Sequence, residues 1–215
     1  MKSLYIIGAG GFGREVAWLV ERINAVEPTW LLEGFIDDNP DVIGTIVGGY
    51  PVIGGVDAFG DLDGEAWTVC AIGSAKVRRK VIEKASEYPN VRFATLIDPS
   101  VLMSDRVIIG EGSIVCAGNI VTVDITLGNH CIVNLDCTIG HDAVLGDYVT
   151  VYPSVNISGI TDIGDCVELG TGMQIIQGKT IGSEAIVGAG AVVVKDIPAR
   201  CVAVGSPAKP IRFFE

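Results

Sequence analysis

Histidine is scarce in this chain, with two in 215 residues, and basic residues are outnumbered. Fifteen Lys and Arg stand against 26 Asp and Glu, which leaves a formal net charge of −11. A chain this acidic repels nucleic acids and anionic membrane surfaces unless its basic residues are gathered locally. We therefore expect no nucleic-acid partner.

Long apolar runs and paired cysteines are also missing. No stretch approaches 18 uninterrupted apolar residues, and the apolar run in MKSLYIIGAGGFG is too short for a signal peptide. The six cysteines are scattered without a CxxC pair, which predicts neither a zinc site nor a thioredoxin-type motif. We expect a soluble, cytoplasmic protein with no membrane partner and no metal, in which most cysteines are small buried apolar residues.

The first part of the chain alternates between strand-like and helix-like patterns. Hydrophobic residues make up 49% of the sequence, enough to bury a core. The patterns predict strands at 3–10, 31–37, 67–73 and 91–97, and helices at 12–25 and 77–85. This order is typical of a small α/β domain with a parallel sheet, which we assign to residues 1–96 as half of a Rossmann fold.

From residue 97 the pattern repeats every six residues. Sixteen successive steps meet an aliphatic residue or Met: Ile97, Met103, Ile109, Val115, Val121, Leu127, Val133, Ile139, Leu145, Val151, Ile157, Ile163, Leu169, Ile175, Ile181 and Val187. One inward side chain per hexad predicts a parallel β-helix of triangular cross-section, in which three hexads form one coil. We assign residues 97–215 to this β-helix and its C-terminal tail.

One histidine falls at a corner of this β-helix. His141 lies two places after the inward Ile139, so its ring is predicted to point outward, with Gly159 leaving room beside it one coil later. An accessible imidazole next to Asp142 suits a general base, although a surface histidine in a turn has the same pattern. His130, three places after Leu127, is predicted to be structural.

A glycine-rich loop follows the first predicted strand. Gly8, Gly10 and Gly13 form GxGxxG before a helix, where backbone N–H groups can surround a phosphate. Asp37 lies where the ribose-binding carboxylate of an NAD site would sit. A domain this short supplies only half of a dinucleotide fold, so a uridine or thymidine diphosphate sugar fits better. Asp37 and Asp38 could equally be turn residues before Asn39.

The whole chain resembles the nucleotide-aminosugar N-acetyltransferases related to PglD and to the NeuD-type sialic acid O-acetyltransferases. The matching pieces are GAGGFGREV, FIDD, AIG, TIGHDAVLGDY, VVVKDIPA and VGSPAKPIR. The hexad pattern is similar to that of left-handed β-helix acyltransferases. The resemblance therefore implies an α/β half-Rossmann domain followed by a left-handed parallel β-helix, assembled as a homotrimer with acetyl-CoA lying between neighbouring prisms.

The resemblance also implies roles for individual residues. His141 matches the family's catalytic base and Asp142 the acidic residue that increases its basicity. Cofactor-contact positions of the family fall on Thr150, Thr171 and Ala189; a family histidine stands where Thr150 is. Nucleotide-sugar contacts fall on Gly10, Gly11, Phe12, Asp37, Asp38 and Gly73, and many family members have histidine in place of Phe12.

These observations lead to one reaction and its alternatives. We expect acetyl transfer from acetyl-CoA to the amino group of a UDP- or dTDP-linked 4-amino-deoxysugar, with the phosphates of coenzyme A near the basic tail. That tail, residues 193–215, holds Lys195, Arg200, Lys209 and Arg212. The alternatives are O-acetylation of a sugar hydroxyl such as that of sialic acid, a non-catalytic trimer that binds nucleotide sugars, and a nicotinamide-dependent oxidoreductase.

Overall fold

The computed structural model describes residues 1–214. The chain forms two compact units, Met1–Pro99 and a second unit that begins at Ser100; the sequence pattern placed the change after residue 96. Among the described residues, no helix has the length and apolar content needed to cross a membrane.

The first unit is an α/β fold. Its elements are β1 (Lys2–Ile7), α1 (Gly11–Val26), β2 (Trp30–Ile36), β3 (Ile46–Val47), β4 (Tyr50–Gly54), a 3₁₀ helix (Val56–Asp61), β5 (Ala66–Cys70), α2 (Ala75–Ala85), β6 (Val91–Phe93) and β7 (Leu96–Ile97). The sheet order is β3-β4-β2-β1-β5-β6, parallel except for the β3–β4 hairpin. β1 lies at its centre, because its apolar run is buried on both faces.

The two predicted helices and the first three predicted strands of this unit are confirmed, with ends that differ by a few residues, whereas the predicted strand 91–97 is two separate strands, β6 and β7. The hairpin β3–β4 and the 3₁₀ helix were not predicted. The hairpin turns at Gly48 and Gly49, whose φ values of 56° and 90° are the left-handed conformation that a two-residue turn of this kind requires. It places an antiparallel edge on an otherwise parallel sheet.

The second unit is a stack of two-residue strands. In chain order they are β8 (Leu102–Met103), β9 (Ile108–Ile109), β10 (Ile114–Val115), β11 (Ile120–Val121), β12 (Thr126–Leu127), β13 (Ile132–Val133), β14 (Thr138–Ile139), β15 (Val144–Leu145), β16 (Thr150–Val151), β17 (Asn156–Ile157), β18 (Asp162–Ile163), β19 (Glu168–Leu169), β20 (Gln174–Ile175), β21 (Thr180–Ile181), β22 (Ile186–Val187), β23 (Val192–Val193), β24 (Cys201–Val204) and β25 (Lys209–Phe213).

These strands form the three faces of a left-handed parallel β-helix. Face 1 contains β8, β11, β14, β17, β20 and β23; face 2 contains β9, β12, β15, β18 and β21; face 3 contains β10, β13, β16, β19, β22 and β24, and β25 pairs antiparallel with β24 at its edge. Within faces 1 and 2 each strand pairs in parallel with the strand 18 residues further on, as Thr138 pairs with Asn156. The predicted coil length is therefore confirmed.

The core of the β-helix is a column of inward aliphatic side chains. Thirteen of the sixteen hexad positions, from Val115 to Val187, are buried. Met103 and Ile109 are only partly covered because they lie in the first coil, which has neighbouring coils on one side only. A second buried column is formed by small or β-branched residues such as Ala143 and Val155, also as the hexad predicts.

Each corner is turned by a residue in the left-handed conformation. Such residues recur every six positions from Gly112 to Gly190, three places after the inward aliphatic residue. Gly, Asp and Asn adopt this conformation most easily, and the described corners are indeed rich in Gly and Asp. The turn chemistry thus has the same six-residue period as the core, which explains why the sequence repeat is so regular.

Candidate active site

The histidine predicted as a base lies at the corner between faces 1 and 2, which we call the dyad corner. His141 follows β14, and its side chain is 50% exposed beside an equally accessible Asp142. Asp142 has φ 58°, a conformation that aspartate tolerates. His141 Nδ1 lies 2.7 Å from Asp142 Oδ2. The outward orientation of the ring is confirmed.

This contact fixes which nitrogen can act as a base. An ionised carboxylate only accepts hydrogen bonds, so His141 Nδ1 carries the proton that it donates to Asp142. Nε2 of the neutral ring is then the nitrogen with a lone pair. It lies over Gly159, where an added Cβ would be 2.7 Å from both Nε2 and Cε1. The absence of a side chain at Gly159 therefore leaves room for the ring at this position, as predicted, and half of the side chain stays accessible.

Two other residues near this region are structural. Cys137 lies in the buried small column, and burial raises the pKa of its thiol to about 11, so it is no nucleophile at neutral pH. His130 is 5% exposed and stacks on Tyr148, with ring centroids 5.3 Å apart. Neither position offers the accessible, proton-accepting nitrogen or sulfur that catalysis needs.

The first unit contains a cleft of about 530 Å³ at the carboxyl ends of its central strands. Five of the six residues predicted to bind the nucleotide sugar line it: Gly10, Gly11, Phe12, Asp37 and Asp38. Gly73 lies one residue beyond the lining residue Ile72. The cleft is where ligands bind in open parallel sheets of this kind.

The glycine loop leaves the amino end of α1 open to this cleft. The loop residue Gly10 precedes the helix without a side-chain cap, and the first turn carries no acidic residue. A Cβ on Gly10 would meet no atom within 4 Å, whereas one on Gly13 would overlap the carbonyl oxygen of Gly8. Gly13 thus allows the helix to pack on the strand, and Gly10 leaves room for an anion at the helix amino terminus.

Both carboxylates of the cleft hold loops in place. Asp37 Oδ2 accepts the N–H of Ala9 and its Oδ1 accepts the N–H of Asn39, each at 2.9 Å. Asp38 Oδ1 accepts the N–H of Val56 at 2.8 Å. The turn role considered for these residues is therefore present. Carboxylate oxygens accept more than one hydrogen bond, so a contact with a nucleotide stays a prediction.

A buried arginine near the cleft was missed by the sequence analysis. Arg78 is 1% exposed, and its Nη1 donates to the carbonyl oxygens of Ile72 and Gly73 at 2.7 and 3.1 Å. It thereby holds the loop between β5 and α2. The sequence gives one indication of this burial: Arg78 has the helical spacing of the apolar residues Ala75 and Ile82, on the face of α2 that packs against the sheet.

The predicted cofactor positions divide into two kinds. Thr171 and Ala189 are exposed and lie one coil apart at the corner between faces 3 and 1. Thr150 is different, because it begins β16 on face 3 and has no exposed surface. The structure therefore does not present Thr150 to a ligand, and this predicted contact is not supported. The basic side chains of the tail are exposed.

Residues 1–214 show no group of three or more His, Cys, Asp or Glu side chains placed to hold a metal. The accessible imidazole on a β-helix and the glycine-loop cleft together define a class: an acyltransferase of the left-handed β-helix type, carrying a Rossmann-like unit. Comparison with known proteins identifies the family within that class.

The family model for the PglD N-terminal domain matches residues 3–85. Perosamine N-acetyltransferase from Caulobacter crescentus, solved with CoA and GDP-perosamine, is 32% identical with a TM-score of 0.89 over 99% of this chain and 98% of that one. The acetyltransferase domain of PglB from Neisseria gonorrhoeae, solved with acetyl coenzyme A, is 34% identical, with a TM-score of 0.87 over 98% and 99% of the chains.

WeeI from Acinetobacter baumannii is 32% identical, with a TM-score of 0.87 over 98% of this chain and 100% of that one. A curated acetyltransferase sequence from Schizosaccharomyces pombe is 61% identical over 41 residues, so the match spans a fifth of that protein's length. The chain belongs to the PglD family of left-handed β-helix sugar N-acetyltransferases.

Proposed function

We propose that this protein transfers the acetyl group of acetyl-CoA to the amino group of a nucleotide-linked 4-amino-deoxysugar, with His141 as general base. The observation that carries the proposal is the 2.7 Å contact between His141 Nδ1 and Asp142 Oδ2, which orients an accessible ring so that Nε2 of its neutral form can accept a proton. Two solved structures of the C. crescentus relative are variants with a histidine replaced by asparagine or alanine, with CoA and GDP-perosamine bound.

The reaction is a direct transfer without an acyl-enzyme. The sugar nitrogen attacks the thioester carbonyl, forming the C–N bond, while Nε2 of His141 accepts a proton from that nitrogen. A backbone N–H near the corner stabilises the oxyanion. The C–S bond then breaks, and the proton on His141 passes to the sulfur of coenzyme A. Asp142 holds the ring in the required tautomer throughout.

The nucleotide binds in the cleft of the first unit. Its diphosphate lies at the amino end of α1, over Gly10 and Gly11, where N–H groups and the helix dipole favour an anion. We retain the prediction of a uridine or thymidine base. The C. crescentus relative was solved with GDP-perosamine, so activity with a guanosine diphosphate sugar must be measured beside activity with uridine and thymidine diphosphate sugars to identify the nucleobase.

The complete site needs more than one copy of the chain. His141 lies at the corner between faces 1 and 2, whereas Thr171 and Ala189 lie at the corner between faces 3 and 1. Face 1 separates the two corners in one prism, so a groove that contains both must be formed by neighbouring prisms. This supports the proposed homotrimer. The cytoplasmic location remains a prediction.

Thiol release from acetyl-CoA with UDP-, dTDP- and GDP-linked 4-amino sugars tests the proposal. We expect turnover with one of them, and mass spectrometry to find an amide; an ester on a hydroxyl would favour O-acetylation, and no turnover with any acceptor would favour a binding protein.

His141→Ala should lower kcat by 10²- to 10⁴-fold with unchanged nucleotide binding, and Asp142→Asn by less. A loss under tenfold for His141→Ala would contradict the assigned base.

A further inference from the structure

One corner residue of the β-helix has a backbone conformation that its side chain disfavours. Ile160 has φ 55°, which places it in the left-handed region. Among the described residues it is the one β-branched side chain found there; the other non-glycine residues are Asp124, His130, Asp136, Asp142, Tyr148, Ser154, Cys166, Glu184 and Arg200. Branching at Cβ makes this conformation especially unfavourable.

Packing in the chain does not explain why isoleucine occupies this position. Ile160 is 53% exposed, so about half of its side chain gains nothing from the core. The equivalent positions in the neighbouring coils are Asp124, Asp142 and Gly178, all of which suit a left-handed turn. Residues with a strained backbone conformation cluster at functional sites, so a strained position that packing does not explain indicates a functional role.

Ile160 also lies against the candidate catalytic pair. Its N–H donates to the carbonyl oxygen of His141 at 2.8 Å. The residue before it is Gly159, on which the imidazole of His141 packs. Eighteen residues separate Ile160 from Asp142, so the two share one column of the dyad corner.

Other apolar side chains extend this surface. Val144, the outward residue of β15, is 46% exposed, and Ile176, just after β20, is 43% exposed. With Ile160 they are three exposed apolar side chains on the coil that carries the polar pair and on the two coils that follow it. A reactant held at Nε2 of His141 would therefore have exposed saturated carbon close to it as well as the carboxylate of Asp142.

We propose that Ile160 is a specificity-determining residue whose side chain contacts a saturated carbon group of a reactant bound at His141. The group is either the acyl methyl of the donor or a deoxygenated carbon of the sugar. The strained turn persists because the residues that suit it, Asn, Asp and Gly, lack this apolar side chain. This inference rests on the proposed acetyl transfer.

The test separates backbone strain from ligand contact. Ile160→Asn should raise Tm by about 2–4 °C, because Asn tolerates the left-handed turn. The same variant should lower kcat/KM about tenfold, since it replaces an apolar contact by a polar one. Glu184→Asn is the matched control: it relieves a left-handed turn with φ 61° at another corner, so Tm should rise and kcat/KM should stay unchanged. Ile160→Val, which keeps the branching, should lose twofold to threefold in kcat/KM without a gain in Tm.

Two sets of kinetics identify the reactant. If Ile160 contacts the donor, KM for acetyl-CoA rises in Ile160→Asn, and Ile160→Gly gains in relative use of propionyl-CoA. If it contacts the acceptor, only KM for the amino sugar nucleotide rises. Values of kcat/KM for both substrates within twofold of wild type would overturn the proposal, as would a loss of activity that only follows loss of the oligomer in light scattering. Wild-type enzyme without acetyl transfer would instead refute the proposed function.

Discussion

Adding one methyl group beneath the ring of His141, the proposed base, should lower turnover while leaving the fold intact. In Gly159→Ala the new Cβ would lie 2.7 Å from Cε1 and Nε2 of His141 and 3.0 Å from Cδ2. Carbon contacts are favourable at about 3.5–4.0 Å, so the imidazole must move by about 1 Å. Gly159 does not have a left-handed φ, so alanine fits its backbone. The clash is confined to the end of a movable side chain.

A displacement of this size has a predictable cost in rate. Misplacing a catalytic group by about 1 Å can lower the rate on the order of 10²-fold, which corresponds to about 2.7 kcal/mol in the barrier. We expect kcat to fall by that factor in Gly159→Ala, measured by thiol release. Thermal unfolding and nucleotide binding should match those of the wild type, because the cleft proposed to bind the nucleotide belongs to the other unit.

Two controls make the result decisive. In Gly110→Ala the new Cβ would lie 2.6 Å from backbone atoms of Gly128 and Asn129, so this variant should lose stability and keep its kcat per folded molecule. Gly159→Ala in a His141→Ala background should have no further effect, because the ring it displaces is gone. A Gly159→Ala enzyme that folds normally with kcat within twofold of wild type would refute the role of the ring position.

Two further predictions concern stability. Arg78→Met should lower the free energy of unfolding by about 2–5 kcal/mol in urea titrations and weaken nucleotide-sugar binding, because two loop carbonyls lose their donor. The control is Arg79→Met: Arg79 is exposed and paired with Glu83, so this change should cost under about 1 kcal/mol. Equal losses in the two variants would contradict the structural role of Arg78. Burial raises the pKa of Cys137 from 9.0 to about 11, so the unfolded thiol ionises first as pH rises and stability is lost above pH 9. Between pH 8.5 and 10.5 this thiol should account for about 2 kcal/mol of the decline, and Cys137→Ala should flatten the curve; parallel curves would count against it.

The β-helix could be predicted because its core and its turns share one period. An aliphatic residue every six positions gives the coil length, and from that length follow the outward His141 and the adjoining Gly159. The same reasoning places Cys137 inside, where it is found. These predictions depend only on residues at fixed separations along the chain, and those separations can be counted in a single sequence.

What could not be predicted depends on contacts without a period. The burial of Arg78 requires carbonyl acceptors in a loop whose path is set by the sheet. Thr150 was assigned because the resemblance places a cofactor-contacting histidine of the family there, but its burial at the start of β16 could not be predicted from the repeat. The hairpin around Gly48 and Gly49 is the exception, because its glycine pair is a turn signal that the sequence contains.

Pairing across a constant interval of 18 residues governs how this protein can change in length. Removing or inserting one whole turn of 18 residues leaves all three faces in line, whereas an indel that is not a multiple of six residues moves the inward aliphatic side chains to outward positions. The number of coils can therefore change by whole turns elsewhere in the β-helix. The 18-residue separation between His141 and Gly159 cannot change, because the imidazole packs on Gly159.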